Sequence, residues 1–180
     1  MSAHETVLQF WFRELEPAQW WRVDPALDRT ISERFGELHG RAARAELFEW
    51  RTSPRGRLAE IIVLDQFSRN LFRDGARAFA TDPLALALSQ EAVAAQADLV
   101  LAPVERAFLY LPYMHSESRA IHEVAERLFR ERAPKDNYDF ELRHKAIIDR
   151  FGRYPHRNAT LGRESTPEEV AFLAGPGSSF

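Results

Sequence analysis

Residues 57–73 read RLAEIIVLDQFSRNLFR, and this stretch decides the fold class. At the helical spacing of about 100° per residue, its apolar side chains occupy two opposite sectors. They are Leu58, Ile61, Ile62 and Phe72 in one sector and Val63, Leu64, Phe67 and Leu71 in most of the other. A helix that is apolar nearly all round is buried, so the pattern predicts a central, buried helix over residues 54–72.

Helix-start signals recur along the rest of the chain, as an N-cap residue followed by proline. They are Asp24-Pro25, Ser53-Pro54, Asp82-Pro83 and Thr166-Pro167, and Thr166 with Glu169 also fits a capping box. Together with apolar periodicity, they predict helices near 5–14, 25–49, 54–72, 83–97, 103–114, 117–133, 138–151 and 167–174. Strand-like alternation is essentially missing, which predicts an all-α fold of about eight helices packed as antiparallel pairs. We expect one domain over residues 1–174 and a flexible tail over 175–180.

The composition limits the class of protein. The chain has 180 residues, of which 45% are hydrophobic, as in one ordinary globular domain. It has no cysteine, which excludes thiol catalysis and thiolate metal sites and is typical of a cytoplasmic protein. We see no signal peptide and no apolar run near the ~20 residues that cross a bilayer, so no membrane association is expected. A net charge of -3 argues against general nucleic-acid binding.

Polar residues on the apolar face of the central helix mark a candidate site. Asp65 and Arg69 project into the first apolar sector, with Gln66 and Asn70 beside them. One interpretation is an i,i+4 ion pair that caps the core. Because burial of such a pair is unfavourable unless further hydrogen bonds satisfy both ions, a polar cavity is the other interpretation.

Two histidines lie on apolar stripes of other predicted helices. His115 follows Pro112, which bends or ends its helix, and Ser116 is the expected N-cap of the next helix. The free N–H groups at that helix start would be able to face an anion, and Glu117 lies beside them. His144 also points inward. A single inward histidine is ordinarily a satisfied core residue, but two of them with a buried ion pair need common partners.

The loop after the 138–151 helix concentrates hydrogen-bond donors. Residues 150–158 read RFGRYPHRN, and the donors there and just beyond are Arg153, His156, Arg157, Asn158 and Arg163. Guanidinium groups suit carboxylate or phosphate, and a histidine adds a hydrogen bond or a proton. A charged surface loop is the alternative. The aromatic stretches LQFWF and QWW are expected to pack the N-terminal helices, with Trp20 or Trp21 lining the pocket as the alternative.

The charge of this loop suggests a bound anion. Residues 149–163 contain four arginines and one aspartate, an excess of three positive charges in a chain of net charge -3. Such an excess is destabilising unless a carboxylate or a ligand offsets it. Asp65 offsets one charge, which leaves room for a ligand with one or two negative charges. We therefore expect Arg153 and Arg157 to point towards the Asp65 and Asn70 end of the central helix.

Long motifs resemble the bacterial family called domain of unknown function 924. The motifs are LDQFSRNLFR, AFATD, FLYLPYMHSE and RFGRYPHRNATLGRESTPEEVAFL, and the resemblance covers nearly the whole chain. It implies an all-α fold similar to tetratricopeptide-like superhelices, and it implies no activity. The positions that match the family signature are Asp65, Gln66, Arg69, Asn70, His115, Ser116, Glu117, Arg153, Pro155, His156, Arg157, Asn158 and Arg163.

The leading functional hypothesis is a pocket for a small anionic molecule, a carboxylate or a phosphate, with possible acid–base catalysis by histidine. The catalytic candidates are Asp65, His115 and His156. The ligand-binding candidates are Gln66, Arg69, Asn70, Glu117, His144, Arg153, Arg157, Asn158 and Arg163. The alternatives are a non-enzymatic helical-repeat adaptor with a peptide or protein partner, and RNA binding by the basic loop. No metal and no cofactor are expected, because the histidines lack the helical spacing of zinc motifs.

Overall fold

Helices form the framework of the part of the chain that the computed structural model describes, residues 2–179. The α-helices are α1 (Ala3–Gln9), α2 (Pro25–Ala43), α3 (Pro54–Ile62), α4 (Ser68–Leu71), α5 (Asp82–Ala94), α6 (Pro103–Met114), α7 (Arg119–Arg132), α8 (Lys135–Phe151) and α9 (Pro167–Leu173). Residues 2–179 contain no β-strand. The predicted all-α class is confirmed.

Two of these helices continue through π-helical turns. Helix α1 runs directly into the π-turn Phe10–Glu14, and α3 runs through the π-turn Val63–Phe67 into α4. Residues 54–71 are therefore one continuous central helix, and the described residues form eight continuous helices, as predicted. The turn Val63–Phe67 contains Asp65 and Gln66, and π-turns inside helices are frequent at functional sites.

The N-caps follow the sequence signals at three of the four predicted helix starts. The capping residues are Asp24, Ser53 and Thr166, whose side chains accept hydrogen bonds from backbone N–H groups of the first turn. The predicted capping box is also present, since Thr166 N donates to Glu169 at 2.8 Å and Glu169 N donates to Thr166 at 3.2 Å. The fourth prediction is wrong, because Asp82 is the first residue of α5 and its carboxylate binds Arg69 instead.

The bounds of several helices differ from the prediction. Helix α2 ends at Ala43 rather than 49, and the chain then forms the 3-10 helix Phe48–Thr52. Helix α7 begins at Arg119 with Ser118 as its N-cap, so the predicted helix start at Ser116 is wrong. Further 3-10 helices occupy Pro17–Trp21, Ala76–Phe79, Ala97–Val100 and Pro155–Arg157. Helical periodicity cannot predict such elements, because a single turn is too short to show a period.

The central helix lies inside the core. Its apolar residues from 58 to 67 are all 0% exposed: Leu58, Ala59, Ile61, Ile62, Val63, Leu64 and Phe67. Helices α1, α5 and α6 pack against α3, and α2 packs against α4. On the C-terminal side α6 packs on α7 and α7 on α8, and a small second cluster around Ile148 and Tyr154 joins α8 to the following loop. The predicted burial of the central helix is confirmed.

The expected organisation of the chain is confirmed in its main feature, a single all-α domain. The tetratricopeptide-like superhelix stays a prediction, and so does the flexible tail over residues 175–180. In this tail the hydroxyl of Ser178 donates to the carbonyl of Leu173 at 3.2 Å, whereas Phe180, like Met1, lies outside the described residues. No helix within residues 2–179 is both long and apolar enough to cross a membrane.

Candidate functional site

A cavity of about 510 Å³ lies beside the central helix. Residues 20–23, the central helix, the 3-10 helix Ala76–Phe79, α6, α8 and the 3-10 helix Pro155–Arg157 contribute to its wall. Its floor contains buried polar side chains, Gln66, His144 and Arg157, together with the less buried His115. Its rim contains exposed apolar side chains, Trp21, Val23 and Phe140. The volume is within the range of roughly 300–1,000 Å³ that is usual for small-molecule sites.

An aspartate and a histidine form a hydrogen-bonded pair at the cavity floor. His115 Nδ1 lies 2.6 Å from Asp65 Oδ1, and Gln66 Nε2 donates to Asp65 Oδ2 at 2.6 Å. An ionised carboxylate only accepts hydrogen bonds, so His115 carries its proton on Nδ1. Because Asp65 is buried behind the ring and His115 lines the cavity, Nε2 is the ring nitrogen left for a ligand.

The carboxyl group of Asp65 is ionised in the folded protein. Burial by itself raises the pKa of this group, but attraction from His115 and Arg69 and the hydrogen bonds from His115 and Gln66 outweigh it. The pKa of Asp65 therefore lies well below its usual range. The pair has the arrangement in which a carboxylate fixes the tautomer and orientation of a histidine.

Two arginines of the cavity share one carboxylate, that of Asp82. Arg69 Nη2 donates to Asp82 Oδ2 at 2.9 Å while Arg69 Nη1 binds Oδ1, and Arg157 Nη1 lies 3.5 Å from Oδ2. Arg69 and Asp65 are 3.8 Å apart, so the predicted i,i+4 ion pair is the weaker of the two contacts. Sequence reasoning missed Asp82 because it is 13 residues from Arg69 and precedes Pro83, which predicts only a helix cap.

Arg157 retains unused hydrogen-bonding capacity in the cavity wall. Its Nη2 donates to the carbonyl oxygen of His115 at 3.1 Å, and its guanidinium lies over the rings of Phe79 and Tyr154. Its Nε has no hydrogen-bond partner among residues 2–179. Burial lowers the pKa of Arg157, but a guanidinium stays charged at physiological pH. Arg157 therefore places a positive charge in the cavity wall, which favours a ligand with an anionic group.

Two further histidines line the cavity and are neutral. His144 Nδ1 donates to the carbonyl of Phe140 at 2.8 Å, and the rings of His144 and His156 both pack against Tyr154. Burial lowers the pKa of His144 to about 3 and the pKa of His156 to about 4. At neutral pH these two side chains therefore add polar contacts to the cavity but no charge.

Four predicted ligand-binding residues lie outside the cavity, where they form a loop network with Glu169. Arg163 donates to Glu117 at 2.8 and 2.9 Å, and Arg153 donates to Glu169 at 2.7 and 2.8 Å. Asn158 joins the two pairs, since its amide nitrogen donates to Glu169 at 3.2 Å and its oxygen accepts from Arg163 at 3.0 Å. These contacts hold the loop together, and none of the four residues lines the cavity.

The predicted excess of positive charge in residues 149–163 is balanced within the protein. The pairs are Arg150–Glu168, Arg153–Glu169, Arg157–Asp82 and Arg163–Glu117. The expected direction of Arg153 is therefore wrong, because Glu169 holds it away from the central helix. Counting charges along the sequence omitted carboxylates that only folding brings near. An anion is not required to neutralise this loop, and the case for a ligand rests on the cavity itself.

We expect Glu169→Ala to lower the free energy of unfolding by about 3 kcal/mol, because it leaves Arg153 and Asn158 without their buried acceptor. Glu169 is 2% exposed. The matched control is the neighbouring Glu168→Ala, which removes an exposed pair with Arg150 and is expected to change stability by less than about 1 kcal/mol. Urea unfolding of both variants tests this difference. Equal, small losses would contradict the bracing role of the network.

The apolar part of the cavity wall was predicted only in part. Trp20 and Trp21 both line the cavity, which was the alternative interpretation of the QWW stretch. Further apolar lining residues that carried no sequence signal are Phe79, Leu111, Met114 and Phe140. Within residues 2–179 no group of three or more His, Asp or Glu side chains could hold a metal ion. The expectation that the site uses no metal stays a prediction.

The fold and the cavity define a class: a single-domain, all-α protein with a carboxylate–histidine pair at the floor of a cavity of small-molecule size. The chain belongs to the family described as bacterial protein of unknown function (DUF924), which matches it over residues 7–177. A similar solved structure is that of the protein of unknown function ATU0120 from Agrobacterium tumefaciens. It is 38% identical, with a TM-score of 0.90 over 94% of this chain and 96% of that one. No curated protein matches the chain significantly.

Proposed function

We propose that the cavity binds a small molecule with an anionic group and that His115 exchanges a proton with this molecule or with a water beside it. The proposal is carried by the Asp65–His115 hydrogen bond, which leaves His115 Nε2 for a ligand in the cavity. When only Nδ1 of His115 carries a proton, Nε2 is able to accept one as a general base. Once Nε2 is protonated, it donates that proton as a general acid. The hydrogen bond from Arg157 to the His115 carbonyl keeps a cationic side chain next to the imidazole.

The lining side chains support acid–base chemistry rather than covalent catalysis by a hydroxyl or thiol. No serine, threonine or cysteine is among the described residues that line the cavity. His115 would then act on a bound water, as in hydrolysis, or on a proton of the ligand, as in isomerisation. In either reaction Asp65 is a positioning residue, because it holds the histidine tautomer without touching the ligand.

The dimensions of the cavity favour a small molecule over a peptide. A volume of about 510 Å³ suits one compact ligand, whereas a helical-repeat adaptor presents an extended open surface. The buried polar floor also supports a ligand with one polar end, because the donors converge at a single place. The peptide-adaptor hypothesis has no comparable contact in its favour.

A thermal-shift screen of small anionic metabolites tests the proposed function. We expect at least one compound to stabilise the protein, by ~2.7 kcal/mol when it is present at 100 times its dissociation constant. Arg157→Met is expected to abolish this stabilisation, while the matched variant Arg150→Met, which changes an exposed arginine of the same segment, is expected to keep it.

The melting temperature of each unliganded variant shows whether it remains folded. If Arg157→Met is unstable, His115→Gln provides the second test, because it removes the proton-exchanging group and leaves Arg157 in place. A full ligand response in both cavity variants, or no response of the unmodified protein to any anion, would refute the proposed function.

A further inference from the structure

The cavity wall is divided into a charged floor and an apolar rim. The rim residues Trp21, Val23 and Phe140 are 60%, 65% and 49% exposed, which is unusual for side chains of this size and type. Phe79, Leu111 and Met114 continue the apolar surface along the wall. An apolar body bound along this surface would cover side chains that the protein itself leaves exposed. The wall therefore selects an amphiphilic ligand whose polar end lies at the floor.

The charges at the floor match one negative charge on that polar end. His115 contacts Asp65 of the π-turn and Arg157 of the 3-10 helix Pro155–Arg157, and these two groups contact Arg69 of α4 and Asp82 of α5. The charges of Arg69 and Arg157 balance those of Asp65 and Asp82, and the buried His144 and His156 are neutral. Glu117 also acts on Arg157 and His156, but its charge is balanced by Arg163. The floor is thus neutral when His115 is neutral and carries one positive charge when His115 is protonated.

The charged groups nearer the rim do not add positive charge. Arg22 lies 3.6 Å from Asp24, and Arg73 donates to Asp28 at 2.7 Å. Asp74, which also lines the cavity, attracts the same Arg73 that binds Asp28. A ligand with two negative charges would therefore leave one of them uncompensated in a partly buried place, which is unfavourable.

We propose that the ligand is a monocarboxylic acid with an extended apolar body, held with its carboxylate between His115 and Arg157. This inference rests on the proposed function and specifies its ligand. A carboxylic acid carries one negative charge at neutral pH, whereas a phosphate monoester carries between one and two. The carboxylate accepts hydrogen bonds from Arg157 and from protonated His115, and the apolar body lies along the rim residues.

Calorimetric titration with matched probes at pH 8 tests the ligand class. The probes are octanoate, octyl phosphate, octanol and acetate. Octanoate is expected to bind at least about tenfold more tightly than each of the others. Acetate lacks the apolar body, octanol lacks the charge, and octyl phosphate has a second charge that the floor cannot match. Trp21→Ala is expected to weaken octanoate binding several-fold and to leave acetate binding unchanged.

Variants of the two anion-binding side chains test the polar end of the ligand at pH 8. His115→Gln is expected to weaken octanoate binding several-fold, and the control Arg150→Lys is expected to leave it unchanged. Arg157→Lys is expected to weaken octanoate binding about tenfold, because a single ammonium replaces the guanidinium.

The outcomes separate this inference from the proposed function. If octyl phosphate binds as tightly as octanoate and its binding depends equally on His115 and Arg157, the assignment of the ligand as a monocarboxylic acid is refuted. The proposal that the cavity binds an anion is then still supported. If acetate binds as tightly as octanoate, the claim that the ligand has an extended apolar body is refuted. If octanoate does not bind, the inference is wrong, and the metabolite screen with the Arg157→Met and His115→Gln variants then decides the proposed function by itself.

Discussion

Acidification from pH 7 to pH 4.5 is expected to lower the free energy of unfolding by on the order of 5 kcal/mol through two histidines alone. These are His144 and His156. Burial lowers the pKa of His144 to about 3 and that of His156 to about 4, whereas an imidazole in the unfolded chain has a pKa of about 6.5. Unfolding in this pH range therefore exposes two rings to water that take up protons.

The sign of this change in the free energy of unfolding follows from the state, folded or unfolded, that binds the protons. Between about pH 6.5 and pH 4, the unfolded chain carries a proton on each histidine and the folded chain carries neither. Each ring then lowers the free energy of unfolding by about 1.4 kcal/mol for every unit by which the pH falls. This contribution to stability is complete above about pH 6.5 and is lost as the pH approaches the values of the folded state.

Glutamine in place of each histidine tests the assignment, because it keeps a polar side chain that does not titrate. Urea unfolding at a series of pH values is expected to show that His144→Gln and His156→Gln each remove about half of this contribution to the acid sensitivity, and that the double variant removes nearly all of it. The acid sensitivity that remains comes from the buried His39, whose pKa burial also lowers, and from carboxyl groups of lowered pKa such as Glu117. His4→Gln, near the N-terminus, is the matched control and is expected to retain the full slope. The readout is the slope with pH, since each substitution also changes stability at pH 7. An unchanged slope in the double variant would contradict the prediction.

The parts of the fold and site that sequence predicts well are those governed by one helix at a time. Apolar side chains occupy opposite sides of the helix formed by residues 57–73. This pattern predicted burial, because such a helix has no polar side to expose to solvent. The same reasoning found inward polar residues on separate helices, Asp65, His115 and His144. The structure brings all three to the cavity or directly behind it.

The parts that sequence reasoning missed depend on contacts between distant segments. Asp82 shares its carboxylate between Arg69 and Arg157, and Glu169 holds Arg153, yet neither pairing has a fixed spacing in the sequence. The apolar rim was predicted only in part, with Trp21 as an alternative, because an aromatic residue next to a cavity and one in a core have the same local pattern. The net charge counted for residues 149–163 was misleading for the same reason, since the carboxylates that pair with these arginines come from other parts of the sequence.

Replacing Gly56 with alanine is expected to lower the free energy of unfolding by roughly 3 kcal/mol, the upper end of the usual cost of overpacking, because the new methyl group has no room. A Cβ at this position would lie 2.0 Å from the carbonyl oxygen of Trp50 and 3.0 Å from the hydroxyl oxygen of Ser53. The first contact is with backbone, so a side-chain rotation cannot relieve it. The 3-10 helix Phe48–Thr52 or the start of the central helix would have to move.

Two interactions oppose that movement. Ser53 caps the central helix by accepting from Gly56 N at 3.0 Å, and Arg51 donates to the buried Glu60 at 2.7 and 2.8 Å. Separating the two segments strains both of them, and removal of a partner from a buried ion pair is strongly destabilising. The close approach of the Trp50 carbonyl to Gly56 is therefore part of how the central helix, with Asp65 and Arg69 further along it, is positioned.

Gly36→Ala is the matched control, with an expected effect of opposite sign. Gly36 lies within α2, and a Cβ built there meets nothing within 4 Å. Alanine in a helix interior is favoured over glycine by roughly 0.5–1 kcal/mol, so this variant is expected to be slightly more stable. Urea unfolding of the two variants compares the same substitution in crowded and in open surroundings. Similar losses in both would mean that the Trp50 carbonyl can yield, and the central helix would then not depend on this contact for its position.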